Sequence, residues 1–226
     1  MTPSPAGSAI LRTIENLHGP AGRLEALLNT GAPEAPYAVL VCHPHPLGGG
    51  TMHNKVVCHA MKAFQSFGLP VLRFNFRGTE LSDGKHDNGI GEQDDVRAAL
   101  DWLDGEFGLP ILFAGFSFGS YVGLRACCGD PRVIGLVALG IPAHAEGRDY
   151  DYEFLRVCPQ PKLFVSGDHD QYGPVAEVEL VVAQAQDPKE LVWISGADHF
   201  FASKLEDVRQ AIRAWAPRCF PLLSSK

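Results

Sequence analysis

The run Leu109-Pro110-Ile111-Leu112-Phe113-Ala114-Gly115-Phe116-Ser117-Phe118-Gly119-Ser120-Tyr121-Val122-Gly123-Leu124-Arg125-Ala126-Cys127 decides the fold. Its apolar start reads as a buried strand, and the stretch from Ser120 to Cys127 reads as a helix. Ser117 therefore sits on a strand-to-helix turn. Glycines two residues before and two residues after it let strand and helix pass closely, and a serine held in so tight a turn takes a strained backbone conformation. This is the position of an activated nucleophile. The motif by itself is weak: with 24 Gly and 11 Ser in 226 residues, roughly 0.1 chance matches are expected in a chain of this composition. Its setting carries the weight, because the motif needs a strand before it, a helix after it, and an acid and then a histidine at later strand ends.

Outward from this stretch, short apolar runs alternate with helical periodicity. The predicted strands are Tyr37–Cys42, Pro70–Phe76, Pro110–Ala114, Val133–Leu139, Lys162–Val165 and Leu191–Ile194. The predicted helices are His53–Phe67, Glu92–Phe107, Phe118–Cys128, Val175–Gln184 and Ser203–Ala214. Such alternation implies crossover connections and a mostly parallel sheet with helices on both faces, an α/β fold. Ile10 to Thr30 reads as an antiparallel hairpin at the sheet edge, turning around His18-Gly19-Pro20-Ala21-Gly22. Residues 1–9, rich in Pro, Ser and Gly, read as a mobile tail, and residues 10–220 as a single domain.

Composition narrows the partners. A net charge of −7 and a pI near 5.7 give no basic footprint for nucleic acid or an anionic membrane surface, so a small molecule is the expected partner, met by a monomer or a homodimer. No apolar run approaches the roughly 18–20 residues that span a bilayer, and residues 1–8 lack the features of a signal peptide. The six cysteines (Cys42, Cys58, Cys127, Cys128, Cys158, Cys219) have no regular spacing and read as reduced core residues. A cytoplasmic location is expected.

In a parallel sheet the chemistry lies beyond the carboxyl ends of the strands. The polar residues there are His43-Pro44-His45-Pro46 with Gly48-Gly49-Gly50, Arg77-Gly78-Thr79, Ser117, Pro142-Ala143-His144, Asp168-His169-Asp170 and Asp198-His199-Phe200. With His43-Pro44-His45-Pro46-Leu47-Gly48-Gly49, Arg73-Phe74-Asn75-Phe76-Arg77-Gly78, the Ser117 turn, Gly167-Asp168-His169-Asp170 and Gly196-Ala197-Asp198-His199-Phe200-Phe201, the chain resembles the α/β-hydrolase superfamily. Within it, the chain is similar to small bacterial hydrolases of the dienelactone-hydrolase and short-chain-carboxylesterase kind. The likeness runs from about Ile10 to Ala216. It departs from the dienelactone-hydrolase type at the elbow, where those relatives often carry cysteine, and at Thr79-Glu80-Leu81-Ser82, where many relatives have a glycine.

The resemblance implies the α/β-hydrolase fold with a minimal cap, and a serine carboxylesterase that needs no cofactor and no metal. A serine hydroxyl needs a base within reach, and His199, in the loop after the last predicted strand, completes the chain order Ser, Asp, His. Asp168 and Asp170 both follow the Lys162–Val165 strand; the Gly-x-x-Asp frame of the resemblance selects Asp170 as the orienting acid, and leaves Asp168 to turn chemistry. For the oxyanion, one donor is expected from the Phe118 N–H. The other comes from His45 or Leu47, since Pro44 and Pro46 have none, and the resemblance selects His45. Leu47, Phe116 and Phe200 are expected to touch the substrate. The cap is expected to carry His144, Tyr150, Tyr152 and Phe154, and Arg77 to anchor its loop through an ion pair.

Two other readings use the same residues. His43 and His45, two apart on an extended segment, could share a metal with Asp168, His169 or His53; Leu47-Gly48 stand where an H-x-H-x-D-H cluster would place its Asp-His. A catalytically silent binding module is the alternative of another class. It would be marked by loss of a triad member, and Ser117, Asp170 and His199 are all present.

Overall fold

The computed structural model describes residues 10–143, 148 and 150–223; the predicted tail and His144 lie outside them. Four short strands open the chain: β1 (Leu11–Ile14), β2 (His18–Gly19), β3 (Gly22–Arg23) and β4 (Ala26–Asn29). Then follow β5 (Ala38–Cys42), α1 (Lys55–Gln65), β6 (Val71–Phe74), α2 (Gly91–Phe107), β7 (Ile111–Phe116), α3 (Phe118–Cys127) and β8 (Val133–Leu139). The chain closes with β9 (Lys162–Gly167), α4 (Val175–Gln184), β10 (Lys189–Ile194) and α5 (Leu205–Cys219). Eight strands make one sheet in the order β1-β4-β6-β5-β7-β8-β9-β10, antiparallel at β1, β4 and β6 and parallel from β6 to β10.

The expected edge hairpin is present, with its tip set apart. Leu11 to Ile14 pair with Asn29 to Ala26, while His18–Gly19 and Gly22–Arg23 form a separate two-stranded ribbon. The ladder breaks because Leu17 and Leu24 turn inward to full burial with Val96, Leu100 and Leu103 of α2. Asp83 then holds the bent tip through the Arg23 N–H at 2.8 Å.

Central strands β5, β6 and β7 are buried at every position, which explains their continuous apolar runs in place of alternation. Val56, Val57, Ala60 and Phe64 of α1 pack with Val208, Ile212 and Trp215 of α5 in the core on one face. Helices α2, α3 and α4 supply Val96, Leu100, Val122, Leu124, Val178 and Val181 to the other. Sheet order places the site. From β5 the chain moves to β6 on one side, then returns past β5 to β7 on the other. The loops leaving β5 and β7 therefore diverge, and a crevice opens at this switch point. His43 to Gly50 follow β5, and Ser117 follows β7.

Candidate active site

Ser117 has φ 53° and ψ −123°, a conformation that L-residues avoid and that costs about 1–3 kcal/mol. Close packing on both sides holds it there. A Cβ on Gly115 would collide with the Gly119 carbonyl, and one on Gly119 with the backbone of Cys42 and His43. The Ser117 N–H is tied to the Leu139 carbonyl at 2.9 Å, and its own carbonyl accepts the Ser120 and Tyr121 N–H groups. The hydroxyl is thus aimed out of the turn.

It meets a histidine. Ser117 Oγ lies 2.8 Å from His199 Nε2, and His199 Nδ1 lies 2.8 Å from Asp170 Oδ2 and 3.0 Å from Oδ1. With Nδ1–H donating to the carboxylate, Nε2 presents its lone pair to the serine hydroxyl. Asp170 is buried and accepts two further bonds, from the Tyr172 and Gly173 N–H groups at 2.8 and 3.0 Å. Asp168 is turned elsewhere: its Oδ1 accepts the Gly196 N–H at 2.6 Å.

The loop after β5 is held by His43. This fully buried imidazole has Nδ1 2.7 Å from the Pro44 carbonyl, and its Nε2 accepts the Phe76 N–H at 3.0 Å. Burial lowers its pKa to about 3, against the rise from the Pro44 bond, so it is neutral with the proton on Nδ1. Both of its nitrogens serve the backbone. His45 Nδ1 accepts the Leu47 N–H at 3.2 Å, and its ring faces His86 and Phe118. The two histidines therefore do not present a shared face to a metal. Burial, with Arg148 and His86 nearby, lowers the His45 pKa to about 4.

The same bond separates the two oxyanion candidates. The Leu47 N–H is already engaged by the His45 side chain, while the His45 N–H has no acceptor among the described residues. The Phe118 N–H opens α3, where the first N–H groups of a helix lack intrahelical acceptors and the dipole favours negative charge.

A cleft of about 260 Å³ opens over these groups, lined by Ser117, His199, His45, Leu47, Tyr172 and Phe200 among others. Leu47 and Phe200 are exposed on its rim. Phe116 differs from the expectation. It is fully buried and does not line the cleft; its ring lies 5.2 Å from that of His199 and backs the imidazole. As the last residue of β7 it points to the face opposite its neighbours, so it packs behind the His199 ring and not into the cleft. Tyr152 is likewise core, with its hydroxyl on the Pro142 carbonyl at 2.9 Å, and Tyr150 lines the cleft.

Sequence reasoning missed Tyr172, whose ring stands edge-on to His199 with centroids 4.8 Å apart, and Arg148 on the cleft wall. Tyr172 was findable as the second residue after Asp170. Arg77 forms its expected ion pair: Nη2 donates to Asp95 Oδ1 at 2.7 Å and Nε to both carboxylate oxygens. Ser82 ties the Thr79–Ser82 loop to Asn75 and Glu25.

Residues 37–216 match the family model described as an alpha/beta hydrolase domain. The chain belongs to the α/β-hydrolase family. It is 39% identical over 203 residues to an uncharacterized protein of Rickettsia prowazekii, covering 86% of this chain and 84% of that one. An α/β serine hydrolase homologue from Coxiella burnetii superposes with a TM-score of 0.81 at 37% identity, over 93% of this chain and 99% of that chain. A lidless α/β serine hydrolase from Xanthomonas campestris superposes with a TM-score of 0.82 at 35% identity, over 96% and 97%. No helix among the described residues of this α/β hydrolase is long and apolar enough to cross a membrane.

Proposed function

We propose that this α/β hydrolase is a serine carboxylesterase that cleaves small, soluble, short-chain esters through an acyl-enzyme. The observation that carries the reading is the unbroken row Ser117 Oγ, His199 Nε2, His199 Nδ1, Asp170 Oδ2, each contact at 2.8 Å, beside the N–H groups of His45 and Phe118, which have no acceptor among the described residues. Ser117 Oγ attacks the ester carbonyl carbon while its proton passes to His199 Nε2. The carbonyl oxygen takes the negative charge between the two N–H donors, and Asp170 stabilises the imidazolium. Collapse expels the alcohol, which takes the proton from His199. Water then repeats the sequence, leaving a carboxylic acid and free Ser117.

The size limit follows from the walls. A cleft of about 260 Å³, with only about twenty residues between β8 and β9, suits small esters better than the long acyl chains that a lipase takes up on a large apolar face. Small lactones, as in dienelactone-hydrolase-like chemistry, meet the same machinery and are the second reading. A silent binding module is disfavoured by the intact hydrogen-bonded row. The six free cysteines support the cytoplasmic location that we infer.

A series of p-nitrophenyl esters from acetyl to palmitoyl tests this reading. Rates are expected to peak between acetyl and hexanoyl, with no jump at the solubility limit and no loss in EDTA. A preference for palmitoyl over butyryl, or activity lost to chelation and restored by zinc, would contradict it.

A further inference from the structure

Beside the cleft lies a second cavity of about 220 Å³, lined by His45, His86, Asn88, Phe118, Tyr121, Arg148 and Tyr150. Five of these seven side chains carry rings. His45 stands 4.8 Å from His86 and 4.7 Å from Phe118 between centroids, and Phe118 stands 5.5 Å from His86. Across from them Tyr121 and Tyr150 meet edge to face at 4.9 Å. His45, Arg148 and Tyr150 line both cavities, so the second adjoins the first.

Their chemistry differs. His199, which must protonate the departing alcohol, lines the first cavity and not the second. The second is lined by His45 and Phe118, whose N–H groups are the proposed oxyanion donors, and by neither Ser117 nor His199. The alcohol therefore belongs in the first cavity and the acyl chain in the second. We propose that the second cavity binds an aromatic ring on the acyl side, making esters of small arylalkanoic acids the preferred substrates. This inference rests on the esterase reading and narrows its substrate class.

Size and surface agree. An apolar cavity of about 150 Å³ holds a benzene molecule, so about 220 Å³ holds a benzyl group. Rings gain from offset and edge-to-face contact with other rings beyond the area they bury. His45, with its pKa lowered to about 4, is uncharged at neutral pH and offers an aromatic wall. Burial raises the Tyr150 pKa against the opposing Arg148 hydrogen bond, so the phenol keeps its proton there.

The test compares methyl phenylacetate with methyl cyclohexylacetate, equal in reach and differing in aromaticity, each rate divided by its hydroxide rate. Binding of the product acids, phenylacetate and cyclohexylacetate, is measured in parallel by calorimetry on Ser117→Ala. Both acids carry one carboxylate, so any contribution of Arg148 cancels. We expect an aromatic preference of about tenfold in kcat/KM and in Kd, falling to about twofold or less in Tyr121→Leu and in Tyr150→Leu. Two variants guard against one that fails to fold. Equal handling of the two esters by the wild type, or a preference that survives both substitutions, would overturn the inference and leave the esterase reading standing. Tyrosine-dependent binding of phenylacetate without turnover of either ester would uphold the aromatic site and sink the esterase reading.

Discussion

His43 Nε2 accepts the Phe76 N–H at 3.0 Å, and together with the Met52 N–H on Asn75 Oδ1 at 2.8 Å this bond ties the loop leaving β5 to the loop leaving β6. The His43 ring also packs on Phe76, with centroids 4.8 Å apart, and its Nδ1 holds the Pro44 carbonyl. The next residue but one, His45, presents the N–H proposed for the oxyanion. A buried neutral imidazole is thus part of the frame that aims that donor.

The frame gives stability a pH dependence of defined sign. His43 has a folded pKa of about 3 against an unfolded value of about 6.5, so between these values the unfolded chain binds the extra proton. Its contribution is complete above pH 6.5 and is lost as pH falls toward 3; His45, lowered to about 4, acts in the same direction. Thermal melts should show Tm falling as pH drops below 6.5, with a shallower slope in His43→Gln. An unchanged slope in that variant would remove His43 from this role.

The two aspartates should separate cleanly. Asp170→Asn leaves the His199 Nδ1–H without its carboxylate and is expected to lower kcat by about 10⁴-fold, with the melt near that of the wild type. Asp168→Asn weakens a turn bond to Gly196 and should alter kcat less than about threefold. Steady-state kinetics on p-nitrophenyl butyrate decides; a larger kcat loss in Asp168→Asn would reverse the assignment.

Gly119→Ala probes the packing behind the elbow. The new Cβ meets the His43 carbonyl and the Cys42 backbone, which cannot yield as a flexible side chain would. A cost of about 3 kcal/mol is expected, or a fall in Tm of roughly 6–12 °C for a chain of this size. Calorimetry checks it, and a melt within 2 °C of wild type, roughly the shift of half a kcal/mol, would mean that helix and strand are looser than they stand.

Much of this is legible in the sequence, for physical reasons. The strands β5 to β9 are buried on both faces, so their apolar runs announce themselves, and strand-end residues are few and polar. Ser117 and His199 follow from chain order and Asp170 from the Gly-x-x-Asp frame of the resemblance, and the three side chains lie at hydrogen-bond distance. The hairpin tip was not legible, because burial of Leu17 and Leu24 against α2 depends on a helix about 75 residues later. Phe116 was misread as a ligand contact, since its neighbour Ser117 faces the cleft while β7 turns Phe116 behind His199. The resemblance selects His45 over Leu47 as an oxyanion donor, whereas the side-chain bond that engages the Leu47 N–H is one that no spacing reveals.

The central claim is that Ser117 is a nucleophile activated by His199. Intact-protein and peptide mass spectrometry after treatment with a fluorophosphonate tests it most directly. One adduct is expected, on Ser117, forming at least about 10³-fold more slowly in His199→Ala and absent in Ser117→Ala. An unmodified Ser117 in folded wild-type protein, or labelling at the same rate without His199, would contradict the account.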